Sequence, residues 1–72
     1  MVVGGAAMSA AIGSRVRLIH TNDKYTTLKP GDLGTVSFID DTGTVFVNWD
    51  NGSSLGMIET AGDRFEKISG PL

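Results

Sequence analysis

The sequence predicts an all-β fold, a small barrel of five short strands, and three observations carry that reading. The apolar residues fall in short runs of β-branched and aromatic types. Gly, Asp, Asn and Pro divide those runs, as turns require. No stretch keeps a helical apolar period over three turns.

Each element follows from its own pattern. In Arg15 to Ile19, Val16 and Leu18 alternate with Arg15 and Arg17, which makes a half-buried first strand. His20 to Asp32 is a long polar loop holding Tyr25 and Leu28, closed by the turn Lys29-Pro30-Gly31-Asp32. Gly34 to Ile39 is the second strand, Thr44 to Trp49 the third and Ser53 to Ile58 the fourth. Thr60 to Asp63 turns the chain, with room for one 3₁₀ turn, and Arg64 to Ile68 is a short last strand.

The hairpin registers are set by loop length. Asp40-Asp41-Thr42-Gly43, taken as a four-residue loop, places Ile39 against Thr44 and Ser37 against Phe46, with Val36 and Phe38 on the face of Val45 and Val47. The next turn, Asp50-Asn51-Gly52, fits a two-residue or a three-residue loop. Only the three-residue form, with Gly52 in the left-handed region, pairs Val47 with Leu55 and Val45 with Met57 and so unites the apolar faces. That register is preferred.

The expected core is Val16, Leu18, Val36, Phe38, Val45, Val47, Trp49, Leu55 and Met57, with Ile12, Leu28, Leu33, Phe65 and Ile68 closing the barrel ends. Five short strands, one long early loop, two tight hairpins and a brief final strand make an SH3-like pattern. A five-stranded OB-fold would need longer strands and more chain. Residues 1–11 read as a flexible Gly/Ala-rich tail, 12–69 as the barrel and 70–72 as a short C-terminal tail.

Composition narrows the function. The 72 residues make one light domain. Without cysteine and with a single histidine, neither a disulfide framework nor a zinc site is available to brace it. A net charge of −2 argues against a general nucleic-acid binder, which needs a basic stripe to replace counterions on phosphates. No apolar run is long enough to span a membrane as a helix, and the start lacks the basic region of a signal peptide, so a cytoplasmic location is expected. No phosphate loop, paired-histidine helix or calcium loop is present, and no cofactor is expected. His20 with Asp23 or Asp63 is the only conceivable general-base pair, and nothing nearby supplies a nucleophile. The chain reads as a binder, not an enzyme.

The strings Ile12 to Leu18, Asp23 to Gly31, Gly34-Thr35-Val36, Ile39 to Thr44, Trp49 to Ser53 and Asp63 to Ile68 together resemble an uncharacterised family of short bacterial and phage proteins. That resemblance implies a phage or mobile-element setting, in a bacterial or phage-infected cell, more than a chemistry. Gly34-Thr35-Val36, Ile39-Asp40-Asp41 and Val45 to Gly52 also resemble the Mib/Herc2 domain, an SH3-like module that binds protein tails. Lys29 to Val36 is similar to the KOW motif of ribosomal and transcription proteins.

Candidate binding residues follow from the registers. Phe46 points away from the core, opposite Ser37 and Gly56, and Ile39 and Ile58 flank Thr44 on the same outer face. Three exposed large apolar side chains there read as an interface for a protein partner or a second copy, a two-fold dimer being the default. Gly56 leaves room for a side chain from that copy. Tyr25 sits mid-loop, where SH3-like domains present recognition residues. Arg15, Arg17 and Arg64 suggest a small anionic or nucleotide ligand, as in an oligomeric phage sponge for a nucleotide signal. Nucleic-acid binding through the KOW-like segment ranks last.

Overall fold

The structure is a computed structural model that describes residues 10–70; residues 1–9 of the tail expected over 1–11, and residues 71–72 of that expected over 70–72, lie outside the described residues. The strands are β1 (Arg15–His20), β2 (Leu33–Ile39), β3 (Val45–Trp49), β4 (Gly56–Met57) and β5 (Arg64–Ser69). A 3₁₀ turn, Glu59–Ala61, precedes β5. All pairings are antiparallel, in a five-stranded sheet ordered β4-β3-β2-β1-β5. The fold is all-β.

The fourth strand is shorter than the sequence suggests because side chains and one turn capture its backbone. Ser53 N donates to Asn51 Oδ1 at 2.9 Å, and Leu55 N to Ser53 Oγ at 3.3 Å. The Leu55 carbonyl accepts the Trp49 indole N–H at 2.9 Å. These groups are then lost to a regular ladder.

Strand alternation buries Val16, Leu18, Val36, Val45, Val47, Trp49, Met57 and Phe65, with Leu28 folded in from the long loop. Trp49 is thus a core residue. Gly34 lies beneath it: a Cβ there would stand 2.5 Å from Val47 Cγ1 and 2.9 Å from Trp49 Cε3. Ala10 and Leu55 also pack on this core, so the folded unit takes in the end of the expected tail. Asp63 is buried and accepts Thr21 Oγ1 at 2.8 Å and Ile58 N at 2.9 Å, tying the long loop to the entry of β5.

Three residues expected to close the barrel ends are exposed instead. Ile12 rides on a turn whose next residue, Gly13, donates to Val36 O at 2.8 Å. Leu33 pairs with Arg17, on the side away from the core. Ile68 falls in the register shift between Val16↔Lys67 and Arg15↔Ser69 and has no partner across the ladder.

The largest correction lies in the hairpin of β2 and β3. Near its open end the register is the expected one, Val36 opposite Val47. Near the turn it has slipped by one, pairing Phe38 with Phe46 and Ile39 with Val45. Ser37 is the extra residue, a β-bulge that puts two consecutive side chains on one side of the sheet. Phe38 therefore leaves the expected core and is 53% exposed, while Ile39 leaves the expected outer face and packs against the core.

Candidate interaction face

On the turn side of the bulge the outer surface carries an aromatic pair. Phe38 and Phe46 face each other across the strands with ring centroids 6.1 Å apart and planes tilted by 32°. This is an ordinary attractive distance for an aromatic pair. Ser37 Oγ donates to the Phe46 carbonyl at 3.1 Å, which holds the bulge against its partner strand. Phe46, 37% exposed, lies over Gly56. A Cβ on Gly56 would come within 3.1 Å of the ring, so Phe46 itself fills the space the sequence reading kept for a second copy.

A shallow open groove runs beside the two rings, lined by Ser37, Phe38, Asp40, Phe46, Asn48 and Ser54. Asp40 anchors its end at the β2–β3 turn. Its Oδ1 accepts Thr42 Oγ1 at 2.7 Å, Thr44 N at 2.9 Å and Thr42 N at 3.0 Å. The Thr42 hydroxyl, followed by these backbone N–H groups, holds the Asp40 carboxyl below the usual carboxylate range and outweighs the opposing effect of desolvation.

Of the residues singled out from sequence, Phe46 alone lines this groove. Ile58, 43% exposed, stands outside it. Tyr25 is 95% exposed, its backbone N–H donating to Asp23 Oδ1 at 2.9 Å. Its loop enters β2 at the end opposite the Asp40 turn, so Tyr25 and the aromatic pair form no common site.

The three arginines are engaged within the chain. Arg15 forks onto Asp50 at 2.9 and 2.6 Å and also donates to Thr35 Oγ1 at 2.9 Å. The hydrogen bonds with Arg15 pull the Asp50 carboxyl below its usual range, and the same bonds raise the Arg15 pKa. Arg17 pairs with Glu66. Arg64 donates to the carbonyls of Glu59 at 3.0 Å and Asp63 at 2.7 Å. The three do not converge on a common anion. His20 meets Asn22 Oδ1 at 2.8 Å, while Asp63 serves backbone and threonine donors. Among the described residues no group of three or more potential metal ligands occurs, and no helix is long and apolar enough to cross a membrane.

Sequence reasoning missed Phe38. The signal was present: Asp41-Thr42-Gly43 repeats the Asp-x-Gly pattern of Asp50-Asn51-Gly52. A three-residue loop at both places turns Phe38 outward at once.

The family model described as a domain of unknown function, DUF4314, matches residues 9–68. No curated protein and no solved structure matches the chain.

Proposed function

This chain belongs to the DUF4314 family, a domain of unknown function, and for it we propose a non-catalytic module that docks a protein partner on the outer face of β2, β3 and β4. The observation that carries the reading is the pair Phe38–Phe46, turned outward by the three-residue loop Asp41-Thr42-Gly43, with the bulge at Ser37 taking up the register difference, beside a groove with a polar rim. Aromatic side chains with hydrogen-bonding neighbours make the anchor regions of protein interfaces. The five-stranded antiparallel sheet, with a 3₁₀ turn before β5, supports the SH3-like module expected from the sequence. The resemblance to short bacterial and phage proteins supports a cytoplasmic, mobile-element setting. With Arg15, Arg17 and Arg64 all engaged, nothing favours a nucleotide or nucleic-acid ligand over a protein.

The test compares four immobilised proteins: wild type, Phe38→Asp, Phe46→Asp and Ile19→Asp. Ile19 is exposed but lies on β1, outside the groove. The expected result is a binding partner retained by wild type and Ile19→Asp and lost by both phenylalanine variants. Identical partner sets for all four would overturn the reading. Light scattering at micromolar concentration tests self-association: a dimer dispersed by Phe46→Asp would make the partner a second copy.

A further inference from the structure

The groove has a sign as well as a shape. Its lining holds two phenyl rings, three neutral polar side chains and one carboxylate, and no Lys, Arg or His. The Asp40 carboxylate takes its hydrogen bonds on Oδ1, and among the described residues Oδ2 accepts none. The cation on the neighbouring cross-strand row, Arg15, is already spent on Asp50. The groove therefore presents aromatic faces and a half-free carboxylate side by side.

Resting on the docking reading above, we propose that the occupant is a basic segment of the partner, with an arginine laid on the Phe38–Phe46 pair and its guanidinium directed to Asp40 Oδ2. A guanidinium is planar, stacks on aromatic faces and donates in a fixed fork, so it satisfies both halves of this site, whereas an ammonium is more strongly hydrated and gives up more on leaving water. Ser37, Asn48 and Ser54 supply donors and acceptors for the backbone on either side of that arginine. Charge complementarity also selects against a second copy, because this chain carries −2 overall with a pI near 5.0.

The experiment is an NMR amide titration at low ionic strength with acetyl-Gly-Arg-Gly-amide, beside the same peptide carrying citrulline in place of arginine. Citrulline keeps the shape and removes the charge. Shifts are expected at Ser37 to Asp40, Phe46, Asn48 and Ser54 with millimolar arginine peptide. Phe46→Leu should weaken binding about three-fold, the scale of one exposed cation–π contact. Asp40→Asn, which keeps an acceptor for the Thr42 and Thr44 N–H groups, should weaken it about five-fold, towards the citrulline level. Absence of groove shifts, or equal binding of both peptides, overturns the basic occupant. If the peptides bind equally while Phe38→Asp still abolishes partner retention, the docking face stands and only its charge preference falls.

Discussion

The two hairpins that share β3 begin from the same turn and end differently. In the first, Gly43 N donates to Asp40 O and Asp40 N to Thr44 O, both at 3.1 Å. In the second, Gly52 N donates to Trp49 O at 2.9 Å and Trp49 N to Ser53 O at 2.8 Å. Gly43 and Gly52 have φ of +90° and +96°, so each Asp-x-Gly loop closes in one geometry. Beyond the turn the second hairpin stays in step, pairing Val45 with Met57 and Phe46 with Gly56. The first cannot. Its turn sets Ile39 against Val45, while the tight fit of Gly34 beneath Trp49 sets Val36 against Val47. Those demands differ by one residue, and Ser37 absorbs the difference. The bulge is thus the product of a conflict between turn chemistry and core packing, and the turn alone sets the exposed aromatic pair.

The strongest way to break that account is deletion. Removing Ser37 brings Val36↔Val47 and Phe38↔Phe46 into one uninterrupted ladder, with Ile39 still inward. The variant should fold cooperatively and keep Phe38 exposed. Removing Asn48, the corresponding outward residue of β3, puts Val47 and Trp49 on opposite faces. Losing a buried tryptophan costs about 3–5 kcal/mol, a large share of the roughly 5–15 kcal/mol that holds a small domain together. The Asn48 deletion should be unfolded by circular dichroism at temperatures where the Ser37 deletion melts as a unit. Equal damage from both would show that the bulge is required by the fold.

The five strands, the β3–β4 register and most of the core follow from alternation and turn residues, which are local. The β2–β3 register does not follow from alternation and needs the Asp-x-Gly loop length as well, because Phe38 and Ile39 are adjacent apolar residues and either can serve the core. Alternation carries no information about which one does. Deciding it needs the loop length at one end and the packing of Gly34 at the other. The pairing of the arginines was illegible for another reason: Asp50 lies 35 residues from Arg15, and Glu66 49 from Arg17. No pattern within one strand points to either. The exposure of Ile68 is not legible because the register shift between Arg15 and Val16 in the β1–β5 pairing is invisible in the Phe65 to Ile68 sequence alone.

A medium effect sharpens the equivalence of the two turns. Gly43→Ala and Gly52→Ala each add a methyl group to a positive-φ position with nothing within 4 Å of the new Cβ. The cost is then backbone strain alone, about 1–2 kcal/mol in each case. Urea denaturation should give the two variants equal losses with unchanged m-values. A distinctly smaller loss for Gly43→Ala would mean that the first turn relaxes to a four-residue loop, with Ile39 slipping towards Thr44. Phe38 would then become buried, and its loss of exposure would be visible in the same variant.

The smallest effect separates the hairpins by the way each holds its carboxylate. Asp40 and Asp50 both ionise more readily than an ordinary aspartate, the first because of the Thr42 hydroxyl and backbone N–H groups, the second because of the Arg15 guanidinium. A carboxyl whose pKa is lower in the folded than in the unfolded chain favours folding above the unfolded value, about 3.9. That contribution is lost as pH falls through the folded value, so both hairpins should loosen in acid and neither in alkali. Salt tells them apart. Raising ionic strength from 0.1 to 1 M shortens the screening length from about 10 to about 3 Å. It therefore weakens the charge attraction within the exposed Arg15–Asp50 pair and leaves bonds from neutral donors nearly unchanged. Carboxyl-carbon NMR titration should show Asp50 moving up towards the ordinary value in 1 M salt while Asp40 stays low. Thr42→Val should raise Asp40 alone, and Arg15→Gln should raise Asp50 alone. If salt moves both together, Asp40 is held by charge after all, and a cation other than Arg15 must lie close to its free oxygen.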